Sequence, residues 1–443
     1  MELRDFIVTP IVISLIYMGA IFVRPFVTDE LTRPYFLPAL TVRILGALAL
    51  GFVYQFYYDG GDTFNYHTGG SRFVWEAFMD SPEKGLQMMF SGGVHQGSFY
   101  KYSSRIEFFG NPPAFFVIRF AAILDLFTFS SYSATASLFA AFGFIGAWML
   151  YYTFYRKYPA LHFGIAIAIL FIPSVFFWGS GLMKDTIVLS SLGIATYEID
   201  RLFFRRKVSL IHISALVIAL YCIFSVKKFV LQAYLPAVIL WVYQGQMKMI
   251  KSVVLRIMIF PFVIVLSAFV GYYAVVKVGE GDRKYSIDKL AETAHITAAD
   301  IHDFTGRNAG SGYDLGELDG SFGSMLRMAP AAINVALFRP YLWEVNNPLM
   351  LLSALESVML LLLVLFLFFK KGRSVLMSLK NSDVVFCLVF SVVFAFAVGA
   401  STFNFGTLVR YKIPILPFFS TALLIMIFYS NSDKNVDEFD RVE

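Results

Sequence analysis

Apolar residues dominate this chain in long runs separated by short polar breaks. Runs at 6–23, 36–57, 114–130, 132–155, 160–179, 185–204, 208–226, 229–245, 252–275, 348–369, 384–400 and 412–429 each approach the ~20 residues that a helix needs to cross a bilayer. None alternates with a period of two, as the ~10-residue strands of a transmembrane barrel do. Lipid offers no partner to a free backbone N–H or C=O, so runs of this kind must close their own hydrogen bonds as helices. The pattern predicts an all-α fold, a polytopic transmembrane helix bundle of about 11–12 spans.

Two long polar loops interrupt the bundle. The first, 58–113, opens on Tyr58-Asp59-Gly60-Gly61-Asp62 and runs on through Tyr66-His67. It holds a predicted amphipathic helix near 71–79 and a glycine-rich patch at 91–97. The second, 277–347, carries Asp300, Asp303, Arg307, Asp314 and Asp319 and closes on a semi-apolar helix near 325–338. Residues 431–443 are charged and read as a disordered tail. The expected organisation is a single polytopic membrane domain over 1–430, followed by that tail.

Composition sharpens the class. The chain is 58% hydrophobic and only 15% charged, against about 25% charged for a soluble protein. That excludes a soluble enzyme, a disordered chain and a basic-faced nucleic-acid binder. Cys222 and Cys387 lie inside apolar runs and read as small buried hydrophobes, with no disulfide or metal framework.

The net charge of +5 is modest; where the cations sit matters more. Arg201, Arg205, Arg206 and Lys207, with Lys370, Lys371 and Arg373, form the strongest basic clusters and are expected on the cytoplasmic side. That places loop 277–347 outside. Taking 114–130, with its Arg119 and Asp125, as re-entrant or interfacial puts loop 58–113 outside as well.

Four constellations carry chemistry. Asp59-Gly60-Gly61-Asp62 with His67 presents two carboxylates on a turn that a ligand can approach closely, suited to a general base or to holding a cation. An ordinary Asp-Gly turn at a helix end is the plain alternative. Pro173, then Trp178-Gly179-Ser180-Gly181 and Lys184-Asp185, describes a broken helix, a tight turn and a new helix start. Arg339-Pro340-Tyr341-Leu342-Trp343-Glu344 precedes an apolar run. It reads either as an interface belt with an internal ion pair or as a guanidinium fork for phosphate. Asn404-Phe405-Gly406 leads to Arg410, Lys412 and Pro414, placing two cations on the side where cations are unexpected. They suit an anion at the membrane surface, or they snorkel to headgroups.

Taken together, these residues resemble the GT-C class of integral-membrane glycosyltransferases, which use polyprenyl-phosphate-linked sugars at the outer face of a membrane. The similarity lies in the acidic residue of an early loop (Asp62), the Pro112-Pro113 helix entry, the Pro173, Ser180, Asp185 succession and the Arg410 region. Bacterial polysaccharide repeat-unit polymerases look similar in size and outer-face arginines.

The resemblance implies a transferase of the cell envelope, in a bacterial inner membrane, with a lipid-phosphate-linked sugar as donor and a glycan, lipid or protein as acceptor. Asp62, assisted by Asp59 or His67, would activate the acceptor hydroxyl. Arg410, Lys412, Arg339 and Lys184 would bind phosphate, and Asp185, Glu344 and Asn404 would support them. A divalent cation at Asp59 or His67 stays an open option, and no metal ligand set is assigned. The competing class is a transporter or flippase for a lipid-linked or anionic solute.

Overall fold

The computed structural model describes residues 2–247, 322–402 and 404–428, together with 265, 313 and 315. The apolar run 252–275, most of loop 277–347 and the tail 431–443 lie outside the described residues. Every extended element among the described residues is a helix, and the all-α bundle is as the apolar pattern predicts. Among the described residues, five helices are long and apolar enough to cross a membrane, or six if one bent pair is counted as a single span. The chain is a membrane protein.

Part of the distance from the 11–12 expected spans is a matter of helix length, and the run 252–275 lies outside the residues counted. The run 114–130 becomes the 17-residue helix Pro112–Thr128, and 185–204 becomes the 16-residue helix Lys184–Ile199. The run 208–226 gives the 17-residue Leu210–Val226. The run 160–179 breaks in two before Pro173, as a proline that cannot continue the helix requires.

The chain folds as two compact units. One comprises Met1–His162 and Pro173–Lys228; the other comprises Phe163–Ile172 and Phe229–Glu443.

In the first unit, α1 (Leu3–Val27) and α2 (Arg33–Phe56) lead to the short α3 (Asp62–Tyr66) and a π-helical turn, His67–Ser71. Next come α4 (Arg72–Asp80), α5 (Pro82–Phe90), α6 (Tyr100–Ser103) and α7 (Pro112–Thr128). Then follow α8 (Tyr132–Lys157), α9 (His162–Leu170, whose first residue alone belongs here), α10 (Pro173–Trp178), α11 (Lys184–Ile199) and α12 (Leu210–Val226).

Helix α8 is the axis of this unit and packs on α1, α2 and α11. Its start is capped by Ser131, whose hydroxyl accepts the Ala134 N–H. Asn111 caps α7 in the same way, with Pro112 and Pro113 at the positions where a missing N–H costs nothing. Helix α1 keeps most of its apolar surface exposed, including Phe6, Ile11, Leu15, Met18 and Phe22. A helix apolar all round is stable with that face only in lipid.

The seam between α8 and α11 consists of small residues. A Cβ on Gly193 would overlap the Gly146 carbonyl, and one on Gly146 would overlap the Ser190 backbone. The two backbones therefore touch directly, the close approach that small residues allow between membrane helices. The Ser190 hydroxyl donates to the Phe142 carbonyl at 2.6 Å and ties the seam.

In the second unit, α13 (Lys228–Gln246, whose Lys228 belongs to the first unit) is followed by α14 (Phe322–Phe338) and α15 (Pro348–Ser378). They are joined by α16 (Ser382–Thr402), α17 (Phe405–Tyr411) and α18 (Ile415–Phe428). Helix α16 packs on both α14 and α18. Trp241 stacks on Phe386 at 4.4 Å, and its indole N–H donates to Asp383 at 2.7 Å, giving a buried carboxylate a partner. Helices α17 and α18 meet at 64° across Lys412–Pro414, where Pro414 forbids a straight continuation.

Candidate functional site

The residues singled out by the sequence divide between the two units. Asp59, Asp62, His67, Lys184 and Asp185 belong to the first; Arg339, Glu344, Asn404, Arg410 and Lys412 belong to the second.

In the first unit, α2 ends at Phe56 and the chain turns through three consecutive residues with positive φ: Asp59 (54°), Gly60 (119°) and Gly61 (123°). The two glycines adopt this conformation freely, whereas Asp59 does so at a cost. Backbone strain of this kind marks sites where a side chain must be aimed. The turn is held by the Gly60 N–H, which donates to the Tyr54 carbonyl at 2.8 Å. It leaves Asp59 exposed and sets Asp62 in the first turn of α3.

Beside this turn lies an open cavity of about 290 Å³, lined by Glu2, Asp5, Gln55, Asp59, Gly60, Phe64, Thr68, Arg72 and Tyr132. Phe64 and Tyr132 form its aromatic wall, stacked at 4.5 Å. Glu2 pairs with Arg72 at 2.5 Å and with Arg4 at 2.6 Å. Burial alone would raise the Glu2 carboxyl, but the hydrogen bonds and charges of Arg72 and Arg4 outweigh it and hold its pKa below 4.5. Asp5 accepts from the Ser131 hydroxyl at 2.7 Å and from the Glu2 N–H at 2.8 Å. The sequence pattern did not single out Glu2, Asp5, Gln55 or Arg72. Glu2 and Asp5 form the capping box of α1, and an i, i+3 acidic pair at a helix start reads as a cap.

His67 is fully buried, away from that cavity's lining. Its Nε2 lies 3.3 Å from the buried Asp125 carboxylate. Asp125 also accepts from the Ser71 and Thr135 hydroxyls, each at 2.6 Å. The π-helical turn, a feature common at functional sites, places His67 and Ser71 against α7 together.

Lys184 opens α11 with its ammonium 5.7 Å from the Tyr66 ring centroid. Asp185 is buried and forms an ion pair with Lys227. The preceding turn is gripped from two helices: Arg43 donates to the Gly179 carbonyl at 2.8 Å, and the Thr186 hydroxyl donates to Gly181 at 2.6 Å. Arg43 is a fully buried cation within α2.

In the second unit, Arg339 is built into position from both ends. Its guanidinium pairs with Glu344, through Nε at 3.0 Å among other contacts, and lies 4.9 Å from the Phe405 ring centroid. Its carbonyl accepts from the Lys412 ammonium at 2.9 Å. Lys412 is fully buried and also donates to the Ser357 hydroxyl at 2.8 Å, with the Glu356 charge acting favourably on it. Its ammonium therefore anchors Arg339 rather than facing solvent. Asn404 caps α17, accepting the Gly406 and Thr407 N–H groups at 2.7 and 3.3 Å. Arg410, at the end of the same helix, is partly exposed.

Glu344 lies in the turn before α15. Burial would raise its carboxyl, but the Arg339 hydrogen bonds, the Tyr341 N–H and the Arg339 charge together hold it below 4.5. A depressed carboxylate stabilises the fold above its unfolded pKa, and the contribution disappears as pH falls through the folded value. Melting temperature is therefore expected to fall more steeply below pH 4.5 in wild type than in Glu344→Gln. Parallel profiles in the two proteins would show that the pair does not act on stability.

Among the described residues, no group of three or more His, Cys, Asp or Glu is placed to hold a metal ion. No protein-family model, curated protein or solved structure matches the chain.

Proposed function

We propose that this protein is a glycosyltransferase of a bacterial inner membrane, moving a sugar from a lipid-phosphate-linked donor to an acceptor at the extracytoplasmic face. The observation that carries the reading is the left-handed Asp59-Gly60-Gly61 turn. It presents Asp59 to a cavity at the end of a membrane helix and sets Asp62 in the helical turn that follows. Asp62 accepts the proton of the acceptor hydroxyl as its oxygen bonds to the anomeric carbon. The bond from that carbon to the phosphate oxygen breaks, and the lipid phosphate leaves with the electron pair. Lys184, in the same unit as Asp62, stabilises the charge that develops on it. A repeat-unit polymerase uses the same bond changes with a glycan chain as donor.

The test is sugar transfer from a lipid-linked donor by the full chain in proteoliposomes. Asp62→Asn and Lys184→Gln are each expected to lower turnover by about 10²–10³-fold without changing the melting temperature. Full activity in either variant sinks the assignment.

Transport of a lipid-linked or anionic solute is favoured by a different observation. Arg43, Asp125, Asp185, Lys227, Glu356 and Lys412 are buried charges, and ionisable groups inside membrane bundles often line solute pathways. Solute movement across sealed vesicles without any transfer product would select this second reading.

A further inference from the structure

We propose that the cavity beside α3 is a subsite for a neutral hexopyranose ring, the acceptor end of the reaction, and that it does not take the donor phosphate. This rests on the transferase reading for the ligand's role, but the binding claim stands on the cavity itself. Its volume of about 290 Å³ lies just below the ~300–1,000 Å³ range of ligand pockets, so it fits one small ring rather than a lipid chain.

The lining separates into spent and unspent groups. Asp5 is committed to Ser131 and the Glu2 N–H, and Glu2 is committed to Arg72 and Arg4. The side chains of Asp59, Gln55 and Thr68 make no hydrogen bond or ion pair among the described residues, and all three residues line the cavity. They offer a carboxylate, an amide that both donates and accepts, and a hydroxyl. That mixture matches the alternating donors and acceptors of ring hydroxyls. The Phe64–Tyr132 wall supplies an aromatic surface for the C–H face of a sugar.

Charge decides against phosphate. Three carboxylates, from Glu2, Asp5 and Asp59, line the cavity against the guanidinium of Arg72, and with Arg4 also on Glu2 the formal balance stays negative. A second anion brought there meets like charge, which costs binding energy at close range. The described residues also offer no ligand set for a metal that would reverse the sign.

The experiment is saturation-transfer NMR on the full chain in lipid nanodiscs, with glucose, N-acetylglucosamine and glucosamine as probes and inorganic phosphate as competitor. Transfer to the ring protons of glucose or N-acetylglucosamine is expected. Half-saturation should rise at least about ten-fold, roughly one lost hydrogen bond, in both Asp59→Asn and Gln55→Ala. The exposed Asp80→Asn, outside the cavity, should leave it unchanged, and so should excess phosphate. Equal melting temperatures keep the comparison among folded proteins. No transfer to glucose or N-acetylglucosamine, unchanged binding in both cavity variants, or displacement by phosphate overturns the inference, as does binding confined to the cationic glucosamine. Sugar binding in a protein that transfers nothing would remove the transferase and leave the subsite. Transfer that survives without Asp59-dependent sugar binding would do the reverse.

Discussion

Asp185→Ala is expected to cost the folded state about 3–5 kcal/mol, because it removes the carboxylate that faces a buried Lys227 ammonium. Asp185 is 2% exposed and Lys227 7% exposed, so solvent cannot take over the lost partner. The loss comes from taking away the carboxylate that offsets a buried ammonium. The double variant Asp185→Leu/Lys227→Met should therefore recover most of the stability. Denaturation of the purified protein in detergent, followed by circular dichroism, reads both. A single variant losing under about 1 kcal/mol, or a double variant no better than the single, would mean that the pair does not act as a buried ion pair. The same comparison bears on function: a transfer defect in the single variant that the double variant repairs assigns Asp185 to the scaffold.

Gly193→Leu should be the most damaging change at the seam between α8 and α11. Overpacking a close-fitted interior costs typically about 1–3 kcal/mol and sometimes more. Here the obstructing atoms are the Gly146 carbonyl and its neighbours, which cannot rotate aside as a side chain can. Relief requires α8 and α11 to move apart, which also lengthens the Ser190–Phe142 hydrogen bond. Gly193→Ala should shift stability the same way by less. The control is Gly19→Ala on the exposed side of α1, where an added Cβ meets nothing within 4 Å and helix propensity favours alanine. Size-exclusion profiles and melting temperatures of the three variants check the order; a Gly193→Leu protein as stable as wild type would contradict direct backbone contact.

The fold class was legible because burial in lipid leaves a coarse mark, long apolar runs that need no partner to be recognised. The number of spans was less legible. An apolar run of twenty residues looks alike whether it forms one helix or, as at His162–Leu170 and Pro173–Trp178, two; Pro173 was the only local signal of the break. At the candidate site, the turn at Asp59–Gly61 was readable because paired glycines mark positions that take positive φ. Arg43 and Asp125 could not be read the same way. Their partners, Gly179 and the His67–Ser71 turn, lie far off in sequence, and a charge within an apolar run carries no mark of the contact it makes. Lys412 was visible as a cation, but its inward aim toward Ser357 and the Arg339 carbonyl depends on the bend between α17 and α18.

Neither unit is a continuous stretch of chain: Phe163–Ile172 belongs with the second, although first-unit sequence lies on both sides of it. The halves are therefore not modules that recombination can trade. A gene cut after Lys228 would deliver ten residues to the wrong product and leave the other short of them. Descendants of this protein would be expected to diverge by point changes and loop insertions within an undivided reading frame, with both units inherited together.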